Sequence, residues 1–380
     1  MRVHILSQRA DVPMRASRHA ASFHTWRPAT GESLIDRASA VARAVGADVC
    51  MAVDERAIRG FAYRSPGLPF RSSPIPSLVQ FDAAHDKWQL ARLLSAHRLP
   101  HPGTHLTGSD DAAAAAETMR FPVLIKPRRG GNGIGITRLH SADALLRHVE
   151  RHPSASATTI VQEEIPGRDI DCSVLCKEGE VLAHTIQRAL SHAPDRFQPS
   201  SGVEFVAHDE VLRVVTRLMA VLRWNGVAHV DLREHAATGR VDVIEVNPRF
   251  WGSLLGSLHA GVNFPQFTAL AALGMPLPAV DYRHCRYASG TFAVKTWLRT
   301  AVTGRASGVG LRETPLVHAL ADPGPHIVEM VDRCRSLVSR SIATSVIGAS
   351  SARPSSAASS DRARDAAPVS LKASPFTHGA

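Results

Sequence analysis

The stretch Val227–Gly252, VAHVDLREHAATGRVDVIEVNPRFWG, constrains the fold more than any other part of the chain. Two alternating runs, VAHVDLRE and RVDVIEVNP, flank AATG and predict a β-hairpin. Residues two apart in a strand share a face. Glu245 and Asn247 therefore point one way, apolar Ile244 and Val246 the other, and Asp231 is expected beside the polar pair on the partner strand. Two carboxylates and an amide on one face of an apolar hairpin are costly to bury unless something pairs with them. Hard oxygen donors of this kind suit Mg2+, which takes one or two carboxylates and completes its shell with substrate phosphates. Arg249, two residues on, would share the site as an anion clamp. A solvent-facing polar stripe is the competing reading, and Asn-Pro-Arg-Phe-Trp-Gly is an odd sequence for a plain surface edge.

A second stretch, FPVLIKPRRGGNGIGITRLHS (Phe121–Ser141), ends an apolar strand in Lys126 and continues into Gly130, Gly131, Asn132, Gly133 and Gly135. Glycines let backbone N–H groups approach and wrap phosphate oxygens. No GK[ST] closes the loop, and a strand rather than a helix follows it, so neither common nucleotide-loop motif applies. Taken alone it reads equally as a phosphate grip or as a flexible hairpin tip. VQEEIPGRD, residues 161–169, is a strand end able to present edge groups to a purine, with a carboxylate beyond it for a ribose hydroxyl; an ordinary strand end is the competing reading.

RVHIL reads as a first strand, and SLIDRASAVARAVG as a helix stopped at Gly46, followed by a buried strand ADVCMAV. DAAHDKWQLARLLSAHRLP reads as one helix. DIDCSVLCKEGEVLAHTIQRAL alternates around Glu178-Gly179 as a hairpin. HDEVLRVVTRLMAVLRWNG is an amphipathic helix with Gly226 as its stop. Adjacent hairpins mixed with helices predict an α+β (mixed α/β) fold, with antiparallel sheets and helices on one face.

Composition narrows the function classes. No apolar run reaches the roughly 18 residues that span a bilayer, and the N-terminus is too short in apolar residues for a signal peptide, so a cytoplasmic protein without membrane partners is expected. The formal charge of +10 comes with only 5% aromatics, and its arginines are scattered, so no specific nucleic-acid partner is expected. Five cysteines lack metal-type clustering and read as small buried hydrophobes. The segment 347–380, rich in Ala, Ser and Pro, reads as a disordered tail.

In their order along the chain, the lysine and glycine loop, VQEEIPG, the hairpin CKEGEVLAHTIQR and the motif VDLRE…TGRVDVIEVNPRFWGSL resemble the ATP-grasp superfamily. The likeness is to the branch of carbamoyl-phosphate synthetase large chains and carboxylate–amine ligases. It runs from about Asp86 to Gly274, and HDK at 85–87 looks like the family's first lysine. The resemblance implies an ATP-grasp fold with nucleotide held between two antiparallel-sheet-containing subdomains. It implies a small α/β domain over 1–85 and the ATP-grasp domain over 86–290, divided near 160/161. A mostly helical extension, 291–346, would precede the tail. ATP and Mg2+ would be bound, with Mn2+ an alternative ion. Lys87, Lys126 and the 130–135 loop would contact the phosphates. Gln162 and the backbone of Glu163 and Ile165 would hold adenine, and Asp169 the ribose. Asp231, Glu245 and Asn247 would hold the metal, and Arg249 and Arg188 would steady the transferring phosphoryl group. Gln162 stands where many relatives carry a carboxylate, and Asp169 is shorter than the usual glutamate. The implied activity joins a small-molecule carboxylate, activated as an acylphosphate, to an amine. A bicarbonate-using carboxylase and a non-catalytic ATP-binding regulator are the alternatives. The oligomeric state stays open, a homodimer included.

Overall fold

The computed structural model describes residues 2–27, 32–131, 133–190, 202–279, 281–304 and 309–332. The expected tail, and Asn132 of the glycine loop, lie outside the described residues. The chain divides into the compact unit Met1–Ile327 and a second unit, Val328–Ala380, of which only 328–332 are described.

At the N-terminus β1 (Val3–Ser7) and β2 (Ala20–Thr25) pair in parallel. Two helices follow, α1 (Leu34–Val45) and α2 (Glu55–Arg64). Gly46 ends α1 in a left-handed conformation, as its sequence predicts. ADVCMAV is not a strand: its ladder is one bridge, Cys50 to Ser72. The partner of β1 is β2 instead, whose polar sequence AASFHT carries little strand signal.

The long helix expected over 82–98 is two helices, α3 (Leu78–His85) and α4 (Lys87–Ala96). The break is Asp86, whose backbone is extended and whose Oδ1 accepts from the N–H groups of Trp88 and Gln89 at 3.0 and 3.2 Å. A short carboxylate competes for backbone donors and so starts a new helix. The cap places Lys87 in the first turn of α4. Asp86 also pairs with Arg128 at 2.8 Å.

A four-stranded sheet follows in the order β3-β6-β4-β5, with β3 (Thr104–Leu106), β4 (Val123–Pro127), β5 (Thr137–Leu139) and β6 (Thr159–Glu163). Helices α5 (Ser109–Thr118) and α6 (Ala142–Arg151) accompany it, and their residues Ala115 and Leu145 share a core with Val123, Ile125 and Val161. The larger sheet has six strands in the order β11-β10-β7-β8-β9-β12. They are β7 (Gly167–Lys177), β8 (Glu180–Ala189), β9 (Gly202–Phe205), β10 (Gly226–His235), β11 (Val241–Asn247) and β12 (Cys285–Ala288). Both larger sheets are antiparallel throughout.

Helix α7 (Asp209–Leu222) buries Val211, Val215, Leu218 and Met219 against one face of the six-stranded sheet, through Ile170, Cys172, Val174, Val230 and Val246. Its stop is Arg223 in the left-handed region, while Gly226, also at positive φ, opens β10. The other face is not bare. After α8 (Leu254–Ala260), α9 (Phe264–Leu273) packs Phe264 and Phe267 on Leu175, Ala183 and Val227. Helices α10 (Gly290–Thr303) and α11 (Leu316–Ala321) complete the unit. No helix among the described residues is long and apolar enough to cross a membrane.

Asp86 joins a helix cap to a buried ion pair, so Asp86→Ala is expected to lower unfolding free energy by about 2–4 kcal/mol. Asp86→Asn, which keeps the cap, is expected to cost less. Urea midpoints at unchanged slope measure both.

Candidate active site

The uncovered part of the large sheet's second face carries a polar lane. Register places Glu245, Asp231, Asp171 and Gln187 in one row across β11, β10, β7 and β8. The next row is Asn247, His229, Ser173 and Thr185. The hairpin thus puts Asp231 opposite Glu245 as its alternation requires. One expectation for that hairpin changes. A bulge between the Asp231 and Leu232 pairings leaves Ile244 unpaired, so it lines the cavity while Val243 and Val246 stay in the core.

The lane floors a cavity of about 600 Å³, within the range of small-molecule sites. Of the expected site residues, Lys87, Lys126, Gly130, Gly131, Gly133, Gln162, Glu163, Ile165, Asp169, Asp231, Glu245, Asn247 and Arg249 line it, and Gly135 does not. Lys87 Nζ lies 2.7 Å from both Glu245 Oε2 and Gly130 O. Asn247 Nδ2 donates to Asp231 Oδ2 and Glu245 Oε1, each at 3.2 Å. Its Oδ1 lies 3.8 Å from where a Cβ on Gly131 would stand, so the glycine loop runs directly over the acidic group. Gly135 holds φ at +75°, and a Cβ there would come within 3.1 Å of Pro127 Cγ, folding the loop's end back on the strand that bears Lys126.

The charges are unevenly matched. Lys126 is buried, its Nζ donates to the neutral Gln162 Oε1 at 2.8 Å, and burial pulls its pKa down to about 8. Burial pushes Asp231 well up, assisted by Glu245 and Asp171. Burial acts on Glu245 in the same direction, but Lys87, the hydrogen bond with Asp231 and Lys126 together outweigh it and keep Glu245 ionised. Burial likewise raises Asp171 to about 7. His229 is lowered to about 4 by burial, then by Arg249. Its ring stacks on Trp251, its Nδ1 lies 2.9 Å from Ser173 Oγ, and its Nε2 is 3.3 Å from Asp231 Oδ1.

Two expected residues behave differently. Arg188 lies on the wrong face: it pairs with the core residue Ile170, while its neighbour Gln187 pairs with Asp171 and lines the cavity. Its Nε sits 3.6 Å from Glu234 Oε2 instead. Glu163 lines the cavity, but its N–H is committed to Gly103 O at 2.9 Å and its Oε1 to Arg120 N at 2.9 Å. Asp169 pairs with Arg233, which also donates to the carbonyls of Ile165 and Gly167 at 3.0 and 3.1 Å.

Sequence reasoning missed Asp171, Gln187 and Arg233. The signal for Asp171 was present, since Asp169 and Asp171 in DIDCS share a strand face. Donor atoms of Asp171, His229 and Asp231 all lie within 4.8 Å of one another. Two other lining residues, Trp251 and Tyr287, have Nε1 and Oη buried without a hydrogen-bond partner among the described residues.

A family model described as an ATP-grasp domain matches residues 84–253. That segment is an ATP-grasp domain. Its fold is the ATP-grasp fold, and solved structures share it. A biotin carboxylase from Campylobacter jejuni aligns at TM-score 0.58 and 18% identity, covering 72% of this chain and 66% of that one. An L-amino acid ligase from Bacillus licheniformis aligns at 0.54 and 18%, covering 72% and 75%. In sequence, a D-alanine–D-alanine ligase of Frankia casuarinae is 34% identical over 234 residues, 53% of this chain and 57% of that ligase. The chain spans well under two thirds of that relative's length.

The oxygen donors of Asp231, Glu245 and Asn247 fit a hard divalent cation. Lys126, buried without a carboxylate ion-pair partner among the described residues, fits a phosphate oxygen. Without metal, Asp171 favours the folded state when protonated; that contribution is present below about pH 4 and lost as pH rises through about 7. Asp171→Asn is therefore expected to gain stability over the unaltered protein across that window, by about 1–3 kcal/mol at pH 8. Chemical denaturation in EDTA at pH 5 and pH 8 measures the difference.

Proposed function

We propose that the protein is an ATP- and Mg2+-dependent ligase that activates a small-molecule carboxylate as an acylphosphate and joins it to an amine. The observation that carries the reading is the cluster of Lys87, Glu245, Asp231 and Asn247 beneath the glycine loop, with Lys126 in the same cavity. Lys87, Lys126 and the loop's amides would bind phosphate oxygens, and Gln162, Ile165 and Asp169 would line the nucleoside end. Asp231, Glu245 and Asn247 would hold the metal, which supplies charge neutralisation on the phosphates when bound. Arg249 would steady the transferring group.

A carboxylate oxygen of the substrate would bond to the γ-phosphorus as the bond to ADP breaks. The amine would then bond to the acyl carbon, inorganic phosphate would leave, and the amine would lose a proton. Catalysis of this kind is mostly positioning and electrostatic stabilisation, which suits a site built from cations and oxygen donors. The buried donors Trp251 Nε1 and Tyr287 Oη support a second ligand beyond the phosphates, one that brings hydrogen-bond acceptors.

ADP release screened over paired acids and amines, with bicarbonate included as an acyl donor, tests the reading. Turnover is expected with an acid–amine pair, reduced at least 100-fold by Glu245→Gln and by Lys126→Ala. Turnover with bicarbonate in place of an acid would support a carboxylase, and ATP binding without turnover on any pair a regulator. Because Lys126 titrates near 8, nucleotide affinity is expected to fall as pH rises through that value. Gln162→Glu should move the fall upward by a unit or so, since a carboxylate favours the charged ammonium. Calorimetric titration at pH 7 and pH 9 measures both.

A further inference from the structure

Arg249 is held by a residue far away in the sequence. Its Nε donates to Glu55 Oε1 at 3.0 Å, and its Nη1 donates to Phe250 O at 2.9 Å. Arg249 lines the cavity, and its Nη2 has no hydrogen bond among the described residues. Glu55 stands in the first turn of α2, in the N-terminal part of the chain that the family match does not reach. Its carboxylate is fixed at both oxygens, because Oε2 lies 3.2 Å from His85 Nε2. Capping α2 is not its role, since Asp54 accepts from Ala57 N at 2.8 Å.

An arginine side chain has many rotamers, and fixing one in advance removes that ordering cost from ligand binding. With Nε and Nη1 occupied, the guanidinium plane is set and Nη2 is left for a ligand. We propose that Glu55 is a positioning residue: it holds Arg249 so that its Nη2 serves an anionic group, a phosphate or phosphoryl oxygen, in the cavity. The N-terminal segment thereby becomes part of the active site. This rests on reading the cavity as a phosphate site.

The test is the affinity of the full chain for inorganic phosphate at saturating MgADP, measured by titration calorimetry. Glu55→Ala is expected to weaken phosphate binding about 10-fold, with MgADP affinity held within about twofold, because a charge-assisted bond orients the arginine. Glu55→Gln keeps an acceptor for Nε and should recover most of the loss. In an Arg249→Ala background, Glu55→Ala should have no further effect. Thermal unfolding of each variant shows whether it is folded, and Glu55→Leu, which also lacks an acceptor for Nε and carries the same expected loss, replaces Glu55→Ala in the test if Glu55→Ala is not.

Phosphate affinity unchanged by both Glu55 variants would overturn the proposal, as would losses that multiply in the double variant. So would a lack of phosphate binding by the unaltered protein. Failure of the ligase reading shows up elsewhere, as absence of turnover in the acid–amine screen while the phosphate titrations behave as stated.

Discussion

One ammonium group ties the site together. Lys87 Nζ, 2.7 Å from Gly130 O and from Glu245 Oε2, joins the start of α4, the glycine loop and the end of β11. A buried ion pair repays its desolvation only with good geometry and further hydrogen bonds. Here Glu245 Oε1 also accepts from Asn247. The pair decides which carboxylate of the row carries charge. Glu245 is ionised against Lys87, whereas Asp231 and Asp171, farther along the row, are pushed toward their neutral forms. Losing the lysine would leave a buried carboxylate beside two others and repulsion across the whole row. The fold of the loop, the cap at Asp86 and the register of the hairpin all serve that contact.

Strand parity explains what was legible in the sequence. Alternation along VDLRE and IEVNP predicts which side chains share a face, and antiparallel pairing brings Asp231 opposite Glu245. The lysine and the glycine run were legible for the same reason: apolar strand, cation and flexible loop are local patterns. Adjacent hairpins around Glu178-Gly179 and AATG were legible from turn chemistry, and they build four strands of the large sheet.

What was not legible depends on events a local pattern does not carry. A bulge shifts parity by one residue, and nothing in IEVN announces it, so Ile244 changed faces. Arg188 was assigned by resemblance, yet its parity with Gln187 puts it over the core side of the sheet. The break at Asp86 competes with an apolar stripe that reads continuously through it, and a single side-chain cap decides the outcome. Glu55 had no signal at all, because its partner lies 194 residues away.

The charge pattern of the cavity bears on the proposed ligand. Lys126 is buried against an amide and drawn toward neutrality, while Asp171 and Asp231 are drawn toward protonation. Each group is shifted toward the state that burial prefers and away from the state it favours in water. A cation alone would recharge the carboxylates but repel Lys126. An anion alone would recharge Lys126 but repel the carboxylates. A polyanion carrying a divalent cation relieves both at once, the metal against the acidic row and the anion against the lysines. The opposed misfits on the two walls are thus what the proposed metal-bound phosphate chain would relieve better than either ion by itself, before any adenine or ribose contact is considered.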